Sequence, residues 1–173
     1  MPEKRAGAVN MKGNPLTLLG PEIQAGSPAP DFTALASLTD AWTLSAQPAK
    51  VRVLLSVPSL DTGVCAAETK RFNDEAAALG DAVEIAVISV DTPFAQGRFC
   101  GAEGVENVKT ISDFKDRAFG TTYGVEIDGL GIYARAAFVV NRGGTVTYAE
   151  YVPEVTTEPN YDAILAAAKA AAG

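Results

Sequence analysis

Two residues carry the reactive chemistry open to this 173-residue chain, Cys65 and Cys100, and no histidine stands beside them. The missing imidazole excludes Ser-His and Cys-His nucleophile pairs, imidazole metal ligands and histidine general bases together. Two thiols would need two carboxylates to complete a zinc site, an unusual structural set. What a cysteine pair can do unaided is pass between two thiols and one disulfide.

Cys65 has the setting for attack. The run Pro58-Ser59-Leu60-Asp61-Thr62-Gly63-Val64-Cys65 follows the β-branched segment Val51–Val57 and enters a helix predicted from Thr62 or Gly63 to Leu79. In open α/β sheets, ligands bind beyond the carboxyl ends of the strands. A sulfur in a first helical turn meets unpaired amides and the positive end of the macrodipole, which favour thiolate over thiol. Thr62 offers a hydroxyl to the sulfur or to a substrate oxygen, and Pro58 stiffens the pocket wall without adding an N–H. The plainer alternative makes Cys65 a small apolar residue on the helix's core face.

Cys100 ends a second predicted helix, opened by Thr92 as N-cap and Pro93 at its first position, with Gly101 placed to stop it. There the macrodipole opposes a thiolate, and Arg98 offsets part of that. The asymmetry assigns attack on an oxidant to Cys65 and condensation with the resulting sulfenic acid to Cys100. A reducing dithiol would then attack the Cys100 sulfur and expel Cys65, the better leaving group. A static disulfide and two unrelated buried thiols are the alternatives.

A peroxide bond breaks with negative charge growing on the departing oxygen, which an arginine can stabilise. Arg135 opens a predicted strand, Arg135–Val140, among Ala134, Ala136, Ala137 and Phe138, where a lone charge needs a partner or a pocket; the alternative is an exposed strand-end arginine. Lys70 and Arg71 read as a solvated helix face with Glu68, Asp74 and Glu75.

The elements that must hold these residues alternate. A hairpin is predicted over 11–19, with Gly13-Asn14-Pro15 as its turn signal, and Phe32–Leu35 is peripheral. Buried strands fall at Val51–Val57 and Val83–Val90, and further helices at Ser112–Tyr123 and Tyr161–Ala172. A second hairpin joins Ala136–Val140 to Thr145–Tyr148 through Asn141-Arg142-Gly143-Gly144. The order predicts an α/β, thioredoxin-like fold: a central mixed β-sheet flanked by helices, with an N-terminal β-hairpin extension. One domain over 1–173 is expected, with 1–10 as a flexible leader.

Fourteen basic residues against 21 acidic ones leave a net charge of −7, which repels phosphate backbones and anionic membranes. No stretch reaches the roughly 18 to 20 apolar residues of a membrane helix. MPEKRAGAVN lacks the apolar run of a secretory signal, so a cytoplasmic address is expected, where a cysteine pair is more often catalytic or redox-sensing than structural.

Four segments then resemble the bacterial thiol peroxidase branch of the peroxiredoxins, an atypical two-cysteine group. They are PSLDTGVCAAETKRFN, which holds Pro58, Thr62 and Cys65 in a Pro-x-x-x-Thr-x-x-Cys motif; DTPFAQGRFCGAEG, Asp91 to Gly104; ARAAFVVN around Arg135; and VTTEPNYDAIL, Val155 to Leu165. The resemblance runs from about Lys12 to Ala170. It implies reduction of hydrogen peroxide and organic hydroperoxides, with Cys65 peroxidatic, Cys100 resolving, and Thr62, Arg135 and Pro58 shaping the pocket. It further implies a Cys65–Cys100 disulfide reduced by thioredoxin, a homodimer, no metal or organic cofactor, and local unfolding of 62–67 and 92–101 during turnover. Two other readings compete: a thioredoxin-fold disulfide exchanger, disfavoured by the absence of Cys-x-x-Cys, and a binding module switched by the same cysteines.

Overall fold

A computed structural model describes residues 1–173. Strand β1 (Lys4–Met11) pairs antiparallel with β2 (Asn14–Leu19). Lys12 and Gly13 both take positive φ, 51° and 81°, as a two-residue hairpin turn requires, so the turn falls one residue earlier than Gly13-Asn14-Pro15 suggests. The expected flexible leader is therefore mostly strand. Val9 is buried against Leu18, Ile127, Ala134 and Val155, and Arg5 donates to the Gly20 carbonyl at 3.0 Å while lying over the Tyr151 ring, so the segment has packing of its own.

Two short edge strands follow, β3 (Thr33–Leu35) and β4 (Ala41–Thr43), and then β5 (Val51–Ser56), buried at every position. Helix α1 (Gly63–Leu79) leads to β6 (Val83–Ser89), α2 (Pro93–Glu103) and β7 (Lys109–Ser112). Beyond lie α3 (Ala118–Thr122), β8 (Glu126–Ile127), β9 (Ala136–Val140), β10 (Val146–Tyr151) and α4 (Tyr161–Ala172). The main sheet has the order β10-β9-β5-β6-β7-β3-β4, in which β5, β6 and β7 are parallel and β9 runs antiparallel to β5; β1, β2 and β8 form a small second sheet. The expected mixed sheet with flanking helices and an N-terminal hairpin is present.

Alternation along β5 divides the core. Val51, Val53 and Leu55 face Phe72 of α1 and Ile164, Leu165 and Ala168 of α4. Leu54 joins an aromatic cluster on the other face, where Phe32, Phe119, Tyr123 and Phe138 stack edge-on or offset and Tyr133 packs tilted against Phe119.

Two predicted elements differ. The helix expected over Ser112–Tyr123 is strand β7 up to Ser112, a turn, and then five residues of α3. The buried Asp113 carboxylate accepts from Gly120 N and Tyr133 Oη, and Arg117 enters α3 in the left-handed region, so the backbone between cannot stay helical. Helix α2 runs through Gly101 to Glu103 and stops at Gly104, whose φ of 66° permits the left-handed cap and whose N–H returns to the Cys100 carbonyl.

Candidate active site

The carboxyl end of β5 leads into the loop that delivers Cys65. Pro58 is buried there, and Thr62, in extended conformation, caps α1. Its Oγ1 accepts from Cys65 N at 3.4 Å and donates to the Ser59 carbonyl at 3.0 Å. The cap thus fixes Cys65 in the first turn of α1, although the Thr62 hydroxyl engages the cysteine's backbone instead of its sulfur. Thr69 Oγ1 donates to the Cys65 carbonyl at 2.8 Å one turn later.

The sulfur of Cys65 has no exposure to solvent, and Arg135 reaches it from the segment just before β9. The guanidinium is itself only 2 % exposed and every arm is used: Nη2 donates to Cys65 Sγ at 3.3 Å, Nη1 to Glu68 Oε2 at 2.7 Å and Nε to the Val155 carbonyl at 3.1 Å. A guanidinium in this position gives the sulfur a charged donor and stands close enough to meet charge on a substrate oxygen. Burial opposes the charge on Arg135, but attraction to Glu68 and Cys65 outweighs it and the guanidinium's pKa is raised. Arg135 therefore stands beside Cys65 just ahead of the strand expected to carry it, because β9 begins one residue later, at Ala136.

Glu68 corrects the reading of that helix. Lys70, Arg71 and Asp74 do form an exposed face, but Glu68 is wholly buried. Desolvation lifts its carboxyl to about 7 against the pull of Arg135, and its Oε1 has no hydrogen-bond partner. The available signal was spacing: three residues after Cys65, Glu68 lies on the same helical face.

Cys100 stands in the last turn of α2, packed against the same apolar cluster as Cys65, with Sγ 3.8 Å from Thr110 Oγ1 of β7. Both cysteines are free thiols. Their polar neighbours therefore belong to opposite sides of the sheet centre, Arg135 beside β9 and Thr110 on β7, with β5 and β6 between. At about 4.8 Å per strand spacing, β9 and β7 are about 14 Å apart. Exposed Arg98 pairs with Asp61 at 3.2 Å and does not approach Cys100 by any hydrogen bond or ion pair. A cleft of about 250 Å³ opens between the start of α1 and α2, lined by Thr62, Ala66, Arg98 and Phe99 among others.

The redoxin family description matches residues 24–165. The chain is 51 % identical over 164 residues to a protein of Halalkalibacterium halodurans named thiol peroxidase, covering 95 % of this chain and 98 % of that one. It is 49 % identical over 162 residues to the thiol peroxidase of Bacillus subtilis, covering 94 % and 96 %. Among solved structures, a peroxiredoxin-like protein from Aquifex aeolicus superposes with a TM-score of 0.89 at 42 % identity, covering 97 % of this chain and 98 % of that one. A buried cysteine capped by threonine and met by an arginine thus sits in a chain that belongs to the redoxin family, within its thiol peroxidase branch.

Proposed function

We propose that the chain reduces hydrogen peroxide and organic hydroperoxides through a cycle between Cys65 and Cys100, as one thioredoxin-like domain over 1–173. The observation that carries this reading is the 3.3 Å contact between Arg135 Nη2 and Cys65 Sγ at the capped start of α1. The Cys65 thiolate attacks the terminal peroxide oxygen, forming the S–O bond of a sulfenic acid as the O–O bond breaks. The departing oxygen takes a proton and leaves as water or an alcohol, while the Arg135 cation stabilises the negative charge that grows on it. Pro58 and Thr62 shape the pocket around the sulfur, and the cap holds it in the field of the helix start.

The Cys100 thiol then attacks the sulfenic sulfur, releasing water and forming the Cys65–Cys100 disulfide. A disulfide spans about 2 Å, so the two sulfurs must leave their separate partners at Arg135 and Thr110, which calls for local opening of 62–67 and 92–101. Thioredoxin, acting as the dithiol, restores both thiols and is itself oxidised. The working form is a cytoplasmic homodimer. No helix is long and apolar enough to cross a membrane.

The test follows peroxide consumption with thioredoxin, its reductase and NADPH. Cys65→Ser is expected to abolish turnover, and equal rates in parent and variant would overturn the reading. Cys100→Ser is expected to form one sulfenic acid per chain and then lose thioredoxin-linked turnover, whereas full turnover would mean a one-cysteine mechanism.

A further inference from the structure

A single carboxylate, that of Asp91, joins the segment carrying Cys65 to the segment carrying Cys100. Asp91 stands between the end of β6 and Thr92, the cap of α2. Its Oδ1 accepts from Ser59 Oγ at 2.8 Å, and its Oδ2 accepts from Leu60 N at 2.9 Å and Ser89 Oγ at 2.8 Å. Ser59 and Leu60 belong to the loop between Pro58 and the Thr62 cap. On the other side the Ser89 hydroxyl accepts from Nε2 of Gln96, a buried residue of α2, which also donates to the Ile111 carbonyl of β7. Ser112 Oγ donates to the Asp91 carbonyl at 2.5 Å.

We propose that Asp91 is a positioning residue that holds the Cys65 loop against the root of α2, so that its release sets how fast Cys100 resolves the oxidised Cys65. The inference rests on the roles of Cys65 and Cys100 given above. Hydrogen bonds to a carboxylate are stronger than neutral ones, and the two from Ser59 Oγ and Leu60 N cross the boundary that must open if the two sulfurs are to meet, while the one from Ser89 Oγ steadies Asp91 within its own segment. The other polar link between the loop and α2, Asp61 with Arg98, is exposed at both ends and contributes little. With Asp91 in place, the loop keeps Cys65 beside Arg135 and peroxide reduction is favoured. With it removed, the loop and α2 part more readily, and resolution gains at the expense of attack.

The experiment separates the two steps. Parent, Asp91→Ala, Asp91→Asn and Ser59→Ala proteins are mixed with one equivalent of hydrogen peroxide. Sulfenic acid, trapped by a carbon nucleophile, and disulfide are then quantified over time by mass spectrometry. In Asp91→Ala, which loses both bonds from the loop, the ratio of resolution rate to Cys65 oxidation rate is expected to rise by more than about tenfold, the factor for losing a single hydrogen bond to a charged group. Asp91→Asn, which keeps one acceptor oxygen, and Ser59→Ala, which removes one of the two contacts from the loop, are expected to fall between. Less sulfinic acid should accumulate at high peroxide in all three. An unchanged ratio in the folded alanine variant overturns the inference, as does an unchanged ratio in Ser59→Ala should Asp91→Ala fail to fold. A parent protein that forms no sulfenic acid or disulfide overturns the cysteine cycle itself, a result distinct from either.

Discussion

Glu68 accepts a hydrogen bond from Arg135 at 2.7 Å, and neither side chain has more than 2 % of its surface exposed. A buried pair of this kind is costly to desolvate and destabilising to break, which makes it weak evidence for stability. Its value here is geometric. Glu68 and the Val155 carbonyl hold two arms of the guanidinium and leave the third for the Cys65 sulfur. The same helix thus presents the sulfur and, three residues on, the group that aims the arginine at it.

The titration of Glu68 gives a pH dependence with a defined sign. Its carboxyl is at 4.5 in the free chain and raised to about 7 in the fold, chiefly by desolvation. Below 4.5 it is protonated in both states and adds no slope. Between 4.5 and about 7 the unfolded chain releases the proton while the folded chain keeps it, so this group's contribution to stability falls as pH rises. The decline is on the order of 3 kcal/mol over that window. Glu68→Gln is expected to flatten it in denaturant titrations run across the acid and neutral range. The variant should also flatten the neutral-range pH profile of Cys65 oxidation, because its side chain cannot ionise and change its hold on Arg135.

Thr62 is tested by shape. Thr62→Val keeps the volume but loses both the cap to Cys65 N and the bond to the Ser59 carbonyl. A lost cap costs about 1 kcal/mol, and the variant should oxidise Cys65 more slowly than the parent in single-turnover measurements. Thr62→Ser keeps the hydroxyl and is expected to restore most of both properties. Equal behaviour of the valine and serine variants would remove the hydroxyl from the mechanism.

Local chemistry explains how much of this site could be read before the structure. The capped start of α1, the Thr92-Pro93 opening of α2, the buried strand β5 and the β9–β10 hairpin depend on neighbours in sequence, and each lies where pattern and turn residues put it. The pairing of Arg135 with Glu68 spans 67 residues, and a glutamate among Lys70, Arg71, Asp74 and Glu75 looks like any solvated face. Strand β7 has four residues and owes its form to parallel pairing with β6, from Ala86 opposite Lys109 to Ser89 opposite Ser112. Its own sequence carries too short a pattern to set it apart from the helix that follows. The N-terminal strand differs from the expected leader for a similar reason: Val9 becomes a core residue only against Leu18, Ile127 and Val155.

Gly120 supplies a final prediction, on the packing that stands behind Arg135. A Cβ at this position would lie 2.5 to 2.6 Å from Cε1, Cζ and Oη of Tyr133. That ring is fully buried, and its hydroxyl donates to Asp113 Oδ2 at 2.5 Å, the same oxygen that accepts from Gly120 N at 3.1 Å. The ring cannot retreat without breaking the bond to Asp113, whose other oxygen is already buried without a partner. Gly120→Ala is therefore expected to destabilise the fold by about 1–3 kcal/mol, the usual cost of overpacking, and to lower the midpoint of thermal unfolding by about 2–12 °C. Tyr133 lies two residues before Arg135, so a displaced ring should also shift the guanidinium and slow Cys65 oxidation. Combining Gly120→Ala with Tyr133→Phe removes the hydroxyl from the clash and should recover part of the stability, although Asp113 then loses a donor. No recovery in the double variant would mean that the ring carbons, still 2.5 to 2.6 Å from the added Cβ, cannot retreat even without the bond to Asp113.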